Sequence, residues 1–183
     1  MSAKVIGLDI AKHVFQVHGA DGRGKTVLKK RLRRNQLTDF FGSIPRCVVG
    51  MEATRGAHYW ARVLGTFGRE VKLKAPHFVK PYVKGQKNDT QDAAAICEAV
   101  NRPEMRFVPQ KSIELQDLQA LHRIRSRLLG NERNWVNQVR ALLAEYGIIV
   151  PLHLSQLRLH LVGLLDEPHP QLTPLAQELF SPM

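Results

Sequence analysis

The most constraining feature of the sequence is the run Val5–Lys12, in which an acidic residue interrupts a stretch typical of a buried strand. Positions 5, 6, 8 and 10 are aliphatic, and such a continuous apolar run favours a central strand covered on both faces. A carboxylate is costly there, because a buried charge without a partner loses its hydration. Asp9 is therefore expected to meet a cation, a metal ion or dense hydrogen bonding, unless the strand ends near Leu8 and Asp9 caps a turn.

The residues that follow predict a mixed sheet flanked by helices. An opening antiparallel meander is indicated by alternating apolar residues and a glycine-rich turn, and strands and helices then alternate along the chain. The predicted strands are 5–10, 14–19, 25–33, 47–52 and 70–74, and the predicted helices are 35–41, 56–67 and 93–101. This order indicates an α/β fold in which helices cover the sheet.

Three further carboxylates lie where such a fold places functional sites. Glu52 ends the second apolar run, and sites in open sheets gather at the carboxyl ends of the strands. Asp89 and Asp92 open the alanine-rich helix 93–101. An Asp-x-x-Asp pair in this position also suits a helix cap with an acid in the first turn, and that alternative stays open. Asp92 is the better candidate for a metal ligand, since Asp89 can serve as the cap.

Together, these acids have the chemistry of a metal site for phosphodiester transfer. Hard ions such as Mg²⁺ or Mn²⁺ prefer oxygen ligands, and two such ions stabilise both the attacking and the leaving oxygen. The predicted catalytic and metal-binding residues are Asp9, Glu52, Asp89 and Asp92.

The charge balance predicts a polyanionic partner, above all nucleic acid. Lys and Arg total 27 against 16 Asp and Glu, which gives a net charge of +11 and an isoelectric point near 10.1. Six basic residues fall within 25–34, whereas 141–183 contain only Arg158. The predicted nucleic-acid contacts are Lys12, Lys29, Lys30, Arg31, Arg33, Arg34, Lys80, Lys84 and Lys87. A solvated strand face or loop is the alternative for the basic runs.

Several classes of protein fit the sequence poorly. Cys47 and Cys97 are the only cysteines and have no metal-ligand spacing, which favours a reducing cytoplasm. No apolar run approaches the roughly 20 residues that span a bilayer, and the N-terminus has no signal-peptide pattern. We therefore expect a cytoplasmic protein with no membrane partner.

Residues 113–146 predict one long helix, with apolar residues at helical spacings of three, four or seven: Leu118, Leu121, Leu128, Trp135, Val139, Leu142 and Tyr146. A helix of this length is expected to project from a small domain and to pair with another helix. Gly130 weakens its middle, which leaves a kink or a break open. The predicted organisation is a catalytic domain at 1–108, a long helical or coiled-coil oligomerisation region at 109–151, and the start of a further helical segment at 152–183.

Three motifs resemble the DEDD transposases of insertion sequences, of the Piv/MooV type. The motifs are Gly-Leu-Asp-Ile-Ala-Lys at 7–12, Gly-Met-Glu-Ala at 50–53 and Phe-Val-Lys-Pro-Tyr-Val-Lys-Gly-Gln-Lys-Asn-Asp-Thr-Gln-Asp-Ala at 78–93. The third motif is long and specific, and the resemblance extends over about residues 4–151. The four acids of the family map onto Asp9, Glu52, Asp89 and Asp92.

This resemblance implies a RuvC-like, RNase H-like catalytic domain that uses magnesium to cleave and rejoin DNA. It also implies a structured guide RNA, and dimers or tetramers formed partly through the long helices, in the bacterial cytosol or nucleoid. Family members continue into a C-terminal domain with a nucleophilic serine, and this chain is expected to stop before it. Neither Ser155 nor Ser181 has the context of that serine.

Two other functions stay open at this stage. One is a non-catalytic nucleic-acid-binding and dimerisation module, and the other is a stand-alone RuvC-like junction nuclease. A phosphotransferase of the actin or sugar-kinase type is disfavoured, because Ile10-Ala11-Lys12 lacks the glycine and hydroxyl residue that would cradle a phosphate.

Overall fold

The computed structural model describes residues 3–82, 89–102, 105–166 and 169–180, and residues 89 and 90 by their backbone alone. The chain divides into two compact units, residues 1–114 and 115–183. Within the described ranges, no helix combines the length and the apolarity needed to cross a bilayer.

The first unit is built on one five-stranded sheet with the order β3-β2-β1-β4-β5. The strands are β1 Val5–Ile10, β2 Val14–Ala20, β3 Thr26–Arg33, β4 Val48–Glu52 and β5 Glu70–Lys74. The first three strands pair antiparallel, whereas β4 pairs parallel with both β1 and β5. The strand that contains Asp9, β1, is therefore the central strand, as its continuous apolar run predicts.

Seven helices are described. They are α1 Leu37–Ser43, α2 Ala57–Thr66, α3 Pro76–Val79, α4 Asp89–Val100, α5 Ile113–Glu145, α6 Leu154–Leu165 and α7 Pro174–Phe180. Short 3₁₀ turns occupy Arg34–Gln36 and Lys80–Tyr82. The long helix α5 runs unbroken through Gly130 and confirms the predicted span to within one residue at its end.

The main core lies between one face of the sheet and helices α1 and α2. Ile6 and Leu8 from β1 and Val49 and Met51 from β4 are fully buried there. Because side chains alternate across a strand, the intervening residues of β1 and β4 face the opposite side. On that side Val5 and Val48 pack against Ile96 and other residues of α4.

The second unit has its own small core. The C-terminal part of α5 packs with α6 and α7 through buried residues that include Val139, Leu143, Leu157, Leu161 and Phe180. In the described part of the predicted segment 152–183, α6 and α7 thus share this core with the end of α5.

The predicted fold class is confirmed. A mixed sheet with flanking helices, in this strand order and with these directions, corresponds to an α/β, RNase H-like fold, and the long helix follows it.

Candidate metal and nucleic-acid site

Two glycines identify the face of the sheet on which Asp9 and Glu52 lie. A Cβ atom on Gly7 would lie 2.1 Å from the Ala93 backbone oxygen, and one on Gly50 would lie 2.2 Å from Val100 Cγ2, so both glycines face α4 at close range. Residues two apart on a strand share a face. Asp9 and Glu52 therefore lie on the α4 side, each two residues nearer the carboxyl end of its strand.

Strand register surrounds these acids with polar and basic side chains. Asp9 is opposite Gln16, which is opposite Arg31, and Glu52 is opposite Lys74. Directly opposite residues in neighbouring strands project to the same face. A row across the sheet thus runs from Arg31 at the β3 edge, past the two acids in the centre, to Lys74 at the β5 edge.

Helix α4 directs its N-terminus toward this row. Ala93, near the start of α4, lies against Gly7, while Cys97, one turn later, donates its Sγ–H to the Val5 carbonyl at 3.7 Å. The helix therefore runs opposite to β1, and its first turn, with half-buried Asp92, lies toward the carboxyl ends of the strands. The backbone of Asp89 starts this helix, and its side chain lies outside the described residues.

A cleft of about 590 Å³ lies at the carboxyl ends of β1 and β4. It is lined by Asp9, Ile10, Ala11, Lys12, Arg34, Glu52, Thr54, Arg55 and Gly56. We call it the acid cleft. The structure brings the predicted residues Asp9, Glu52, Lys12 and Arg34 together here, whereas Asp92 is not part of this lining. Among the described side chains, no three acids, histidines or cysteines are close enough to hold one metal ion.

A tight turn after β4 presents Arg55 to the acid cleft. The Thr54 backbone N–H donates to the Glu52 carbonyl at 2.8 Å, and Gly56 has a φ of 82°, a left-handed conformation that favours glycine. Arg55 was not among the residues predicted from sequence. The available signal in the sequence was its position two residues after the motif Gly-Met-Glu-Ala at 50–53.

Lys74 is a second residue that the sequence reasoning missed. Its side chain is completely buried, its Nζ donates to the Arg106 carbonyl at 3.3 Å, and it lies 3.9 Å from the centre of the Phe107 ring. Burial lowers the pKa of Lys74, and the nearby Lys72 lowers this pKa further. The signal in the sequence was a lysine at the carboxyl end of a strand, in the position corresponding to that of the two acids.

The predicted nucleic-acid contacts are distributed over several elements. Lys29, Lys30, Arg31 and Arg33 are exposed on the edge strand β3, and Lys29, Arg31 and Arg33 share the face of Asp9. Lys30 instead lies 5.3 Å from the Phe40 ring, on the α1 side. Lys80 is exposed in the second 3₁₀ turn, and Lys84 and Lys87 lie outside the described residues.

Neither cysteine contributes reactive chemistry to this site. Cys47 and Cys97 are both buried as free thiols. Burial raises the pKa of Cys97 to about 11, which keeps it protonated at neutral pH.

The family model for DEDD transposases of the IS110 type, described as "Transposase", matches residues 6–148. The chain is 54% identical over 149 residues to "Probable family 20 transposase" of Pseudomonas aeruginosa, a match that covers 81% of this chain and 44% of that protein. It is 43% identical over 154 residues to "Transposase for insertion sequence element IS1328" of Yersinia enterocolitica, covering 84% and 46%.

The chain is also 46% identical over 145 residues to "Transposase for insertion sequence element IS1111A" of Coxiella burnetii, covering 79% of this chain and 40% of that protein. It thus spans less than half the length of these curated relatives. The family match extends from the first acid motif past the end of α5, and it includes every residue that lines the acid cleft. The chain therefore belongs to the IS110-type family of DEDD transposases.

Proposed function

We propose that this chain is the RuvC-like, metal-binding half of an insertion-sequence transposase, which binds DNA and supplies carboxylates for strand cleavage and exchange. One observation supports this most: Asp9 and Glu52 line the same cleft as Lys12, Arg34 and Arg55. Two acids for a metal ion and three cations for phosphate groups are the groups that phosphodiester chemistry needs.

The donor set fits Mg²⁺ or Mn²⁺. Asp9 and Glu52 offer only carboxylate oxygens, which hard divalent ions prefer over nitrogen or sulfur. Asp92 and Asp89, at the α4 N-terminus, are the proposed additional ligands. When bound, such ions stabilise the oxygens that carry negative charge during cleavage of a phosphodiester.

The basic residues of the chain have a separate role in this proposal. Lys12, Arg34 and Arg55 bind the phosphates next to the acids and orient the strand. The exposed basic residues of β3 contact the backbone of DNA or of a structured guide RNA farther out. We place this activity in the cytoplasm, where the DNA substrate and guide RNA would be found.

The test is binding and cleavage of labelled linear and branched DNA by the 183-residue chain in Mg²⁺ or Mn²⁺. Binding that weakens steeply with salt, together with metal-dependent cleavage, supports the proposal. If the chain binds without cleaving, the part of a relative that the match does not cover is supplied in trans, and restored cleavage supports a composite active site. Absence of salt-sensitive binding would overturn the proposal.

A non-catalytic binding module is the second candidate. It is favoured by the lining of the acid cleft, in which the three cations Lys12, Arg34 and Arg55 outnumber the two acids and suit the binding of phosphate groups. Binding without cleavage, even when the uncovered part of a relative is present, would favour this candidate. Autonomous cleavage of branched but not linear DNA would instead favour a junction nuclease.

We also propose that two copies of the chain pair through the part of α5 that precedes Val139. Leu118, Leu121 and Leu128 are 51%, 62% and 62% exposed, and their spacing places them on one stripe of the helix. Farther along the same stripe, Val139 is buried by α6 and α7. Trp135, seven residues after Leu128 on this stripe, is also 56% exposed, so the surface left for a second copy extends from Leu118 to Trp135.

Replacing Leu121 with glutamate should convert the oligomer into a monomer, because the charge would be buried in an apolar helix pair. The molar mass is measured by light scattering after size-exclusion chromatography. Ser126→Glu adds the same charge on α5 away from the stripe and should leave the mass unchanged. A wild-type chain that is already monomeric at high concentration would contradict the pairing.

A further inference from the structure

A second cavity adjoins the acid cleft and shares a residue with it. This cavity, of about 530 Å³, is lined by His13, Val14, Arg33, Arg34, Asn35 and Trp60. We call it the side groove. Arg34 lines both the side groove and the acid cleft. We propose that the side groove is a second subsite for a phosphodiester backbone, which binds the nucleotides next to those held in the acid cleft. This inference rests on the proposed function, and it assigns a place where the nucleic-acid substrate of that function binds.

The local fold builds the side groove from the ends of two strands. Val14 at the start of β2 is opposite Arg33 at the end of β3, and the Arg34 backbone N–H donates to the His13 carbonyl at 3.0 Å. The Gln36 side chain accepts a hydrogen bond from the Arg33 backbone N–H at 2.8 Å. These bonds hold the turn between β3 and α1 against the loop that follows Asp9.

The Arg34 guanidinium is held in place before any ligand binds. Its central carbon lies 5.0 Å from the centre of the Trp60 ring, and Trp60 is only 4% exposed. The Phe15 ring packs edge-on against Trp60 at 5.2 Å. A cation fixed over an immobilised aromatic ring loses little side-chain entropy when a phosphate binds.

The lining of the side groove identifies the class of ligand. Two arginines face it, His13 and Asn35 add polar side chains, and no carboxylate occurs among its described lining residues. Arginine matches the paired oxygens of a phosphate with two parallel N–H donors. The two arginines therefore suit the backbone phosphates of a strand.

The test measures binding of single-stranded DNA and RNA of increasing length to the full 183-residue chain by fluorescence anisotropy at several salt concentrations. Arg33→Gln removes a charge that lines the side groove but not the acid cleft. We expect about tenfold weaker binding of long strands, because one charge-assisted contact is lost. The slope of log affinity against log salt should fall by about 0.7. Strands too short to reach beyond the acid cleft should be unaffected.

Arg46→Gln is the matched control. Arg46 is exposed and precedes β4, so it lies at the opposite end of the sheet. The Arg46→Gln variant should bind DNA and RNA strands of every length with the affinity of the wild type. Equal losses of affinity in the two variants, or a loss of affinity in Arg33→Gln that does not depend on strand length, would overturn the assignment of the side groove as a subsite. The proposed function would stay intact. A wild type without affinity for either nucleic acid would overturn both, and the tighter of the DNA and RNA series identifies the occupant.

Discussion

Asp9→Asn is expected to abolish the response of the chain to divalent ions while leaving its fold intact. The substitution keeps the shape of the side chain but removes the negative charge that a hard cation requires. Because loss of even an outer partner of a metal ligand weakens affinity by about 10- to 100-fold, loss of a ligand should weaken it by at least about 100-fold. The measurement is the rise in melting temperature with added Mn²⁺, alongside metal-dependent DNA cleavage.

Asp39→Asn provides the control for this experiment. Asp39 is exposed in the first turn of α1, on the other side of the sheet from the acids. It should keep the Mn²⁺ response of the wild type. The metal site would have to be placed elsewhere if Asp9→Asn responded normally to Mn²⁺, or if both variants lost the response equally. Circular dichroism establishes that the variants remain folded.

Gly7→Ala is expected to cause the largest loss of stability of any single methyl addition in the first unit. The added Cβ would lie 2.1 Å from the Ala93 backbone oxygen and 2.6 Å from the Cys97 backbone nitrogen. Neither backbone atom can move without shifting α4 as a whole. We expect the free energy of unfolding to fall by about 3 kcal/mol, measured by chemical denaturation. The metal response should weaken as well, because the α4 N-terminus would move away from Asp9.

Gly65→Ala tests whether this effect comes from the contact and not from the methyl group. Gly65 lies in α2 with no atom within 4 Å of an added Cβ, so alanine should stabilise the helix by about 0.5–1 kcal/mol. Gly50→Ala should be milder than Gly7→Ala, because its closest contact is the movable Val100 side chain. A Gly7→Ala variant as stable as the wild type would mean that α4 does not pack on β1 as described.

Much of the fold and part of the site could be predicted because they depend on local patterns. The apolar run of β1, the alternation of β2 and β3 and the spacing of leucines in α5 each reflect the period of a regular element. Asp9 and Glu52 were predictable as a pair, since both end apolar strands that a mixed sheet places side by side. Lys74 and Arg55 were not, because their proximity to the acids depends on the pairing of β4 with β5 and on one tight turn.

The sequence by itself therefore determined which residues are available for chemistry and which elements carry them. Strand periodicity, glycine positions and an excess of positive charge can be recognised in the sequence without knowledge of any tertiary contact. Only the tertiary structure decided that Arg34 lines both the acid cleft and the side groove, and that Val139 is buried while Leu121 is exposed on the same helix stripe. The physical reason is that burial and electrostatic surroundings depend on contacts between residues far apart in the chain, and local sequence patterns do not specify those contacts.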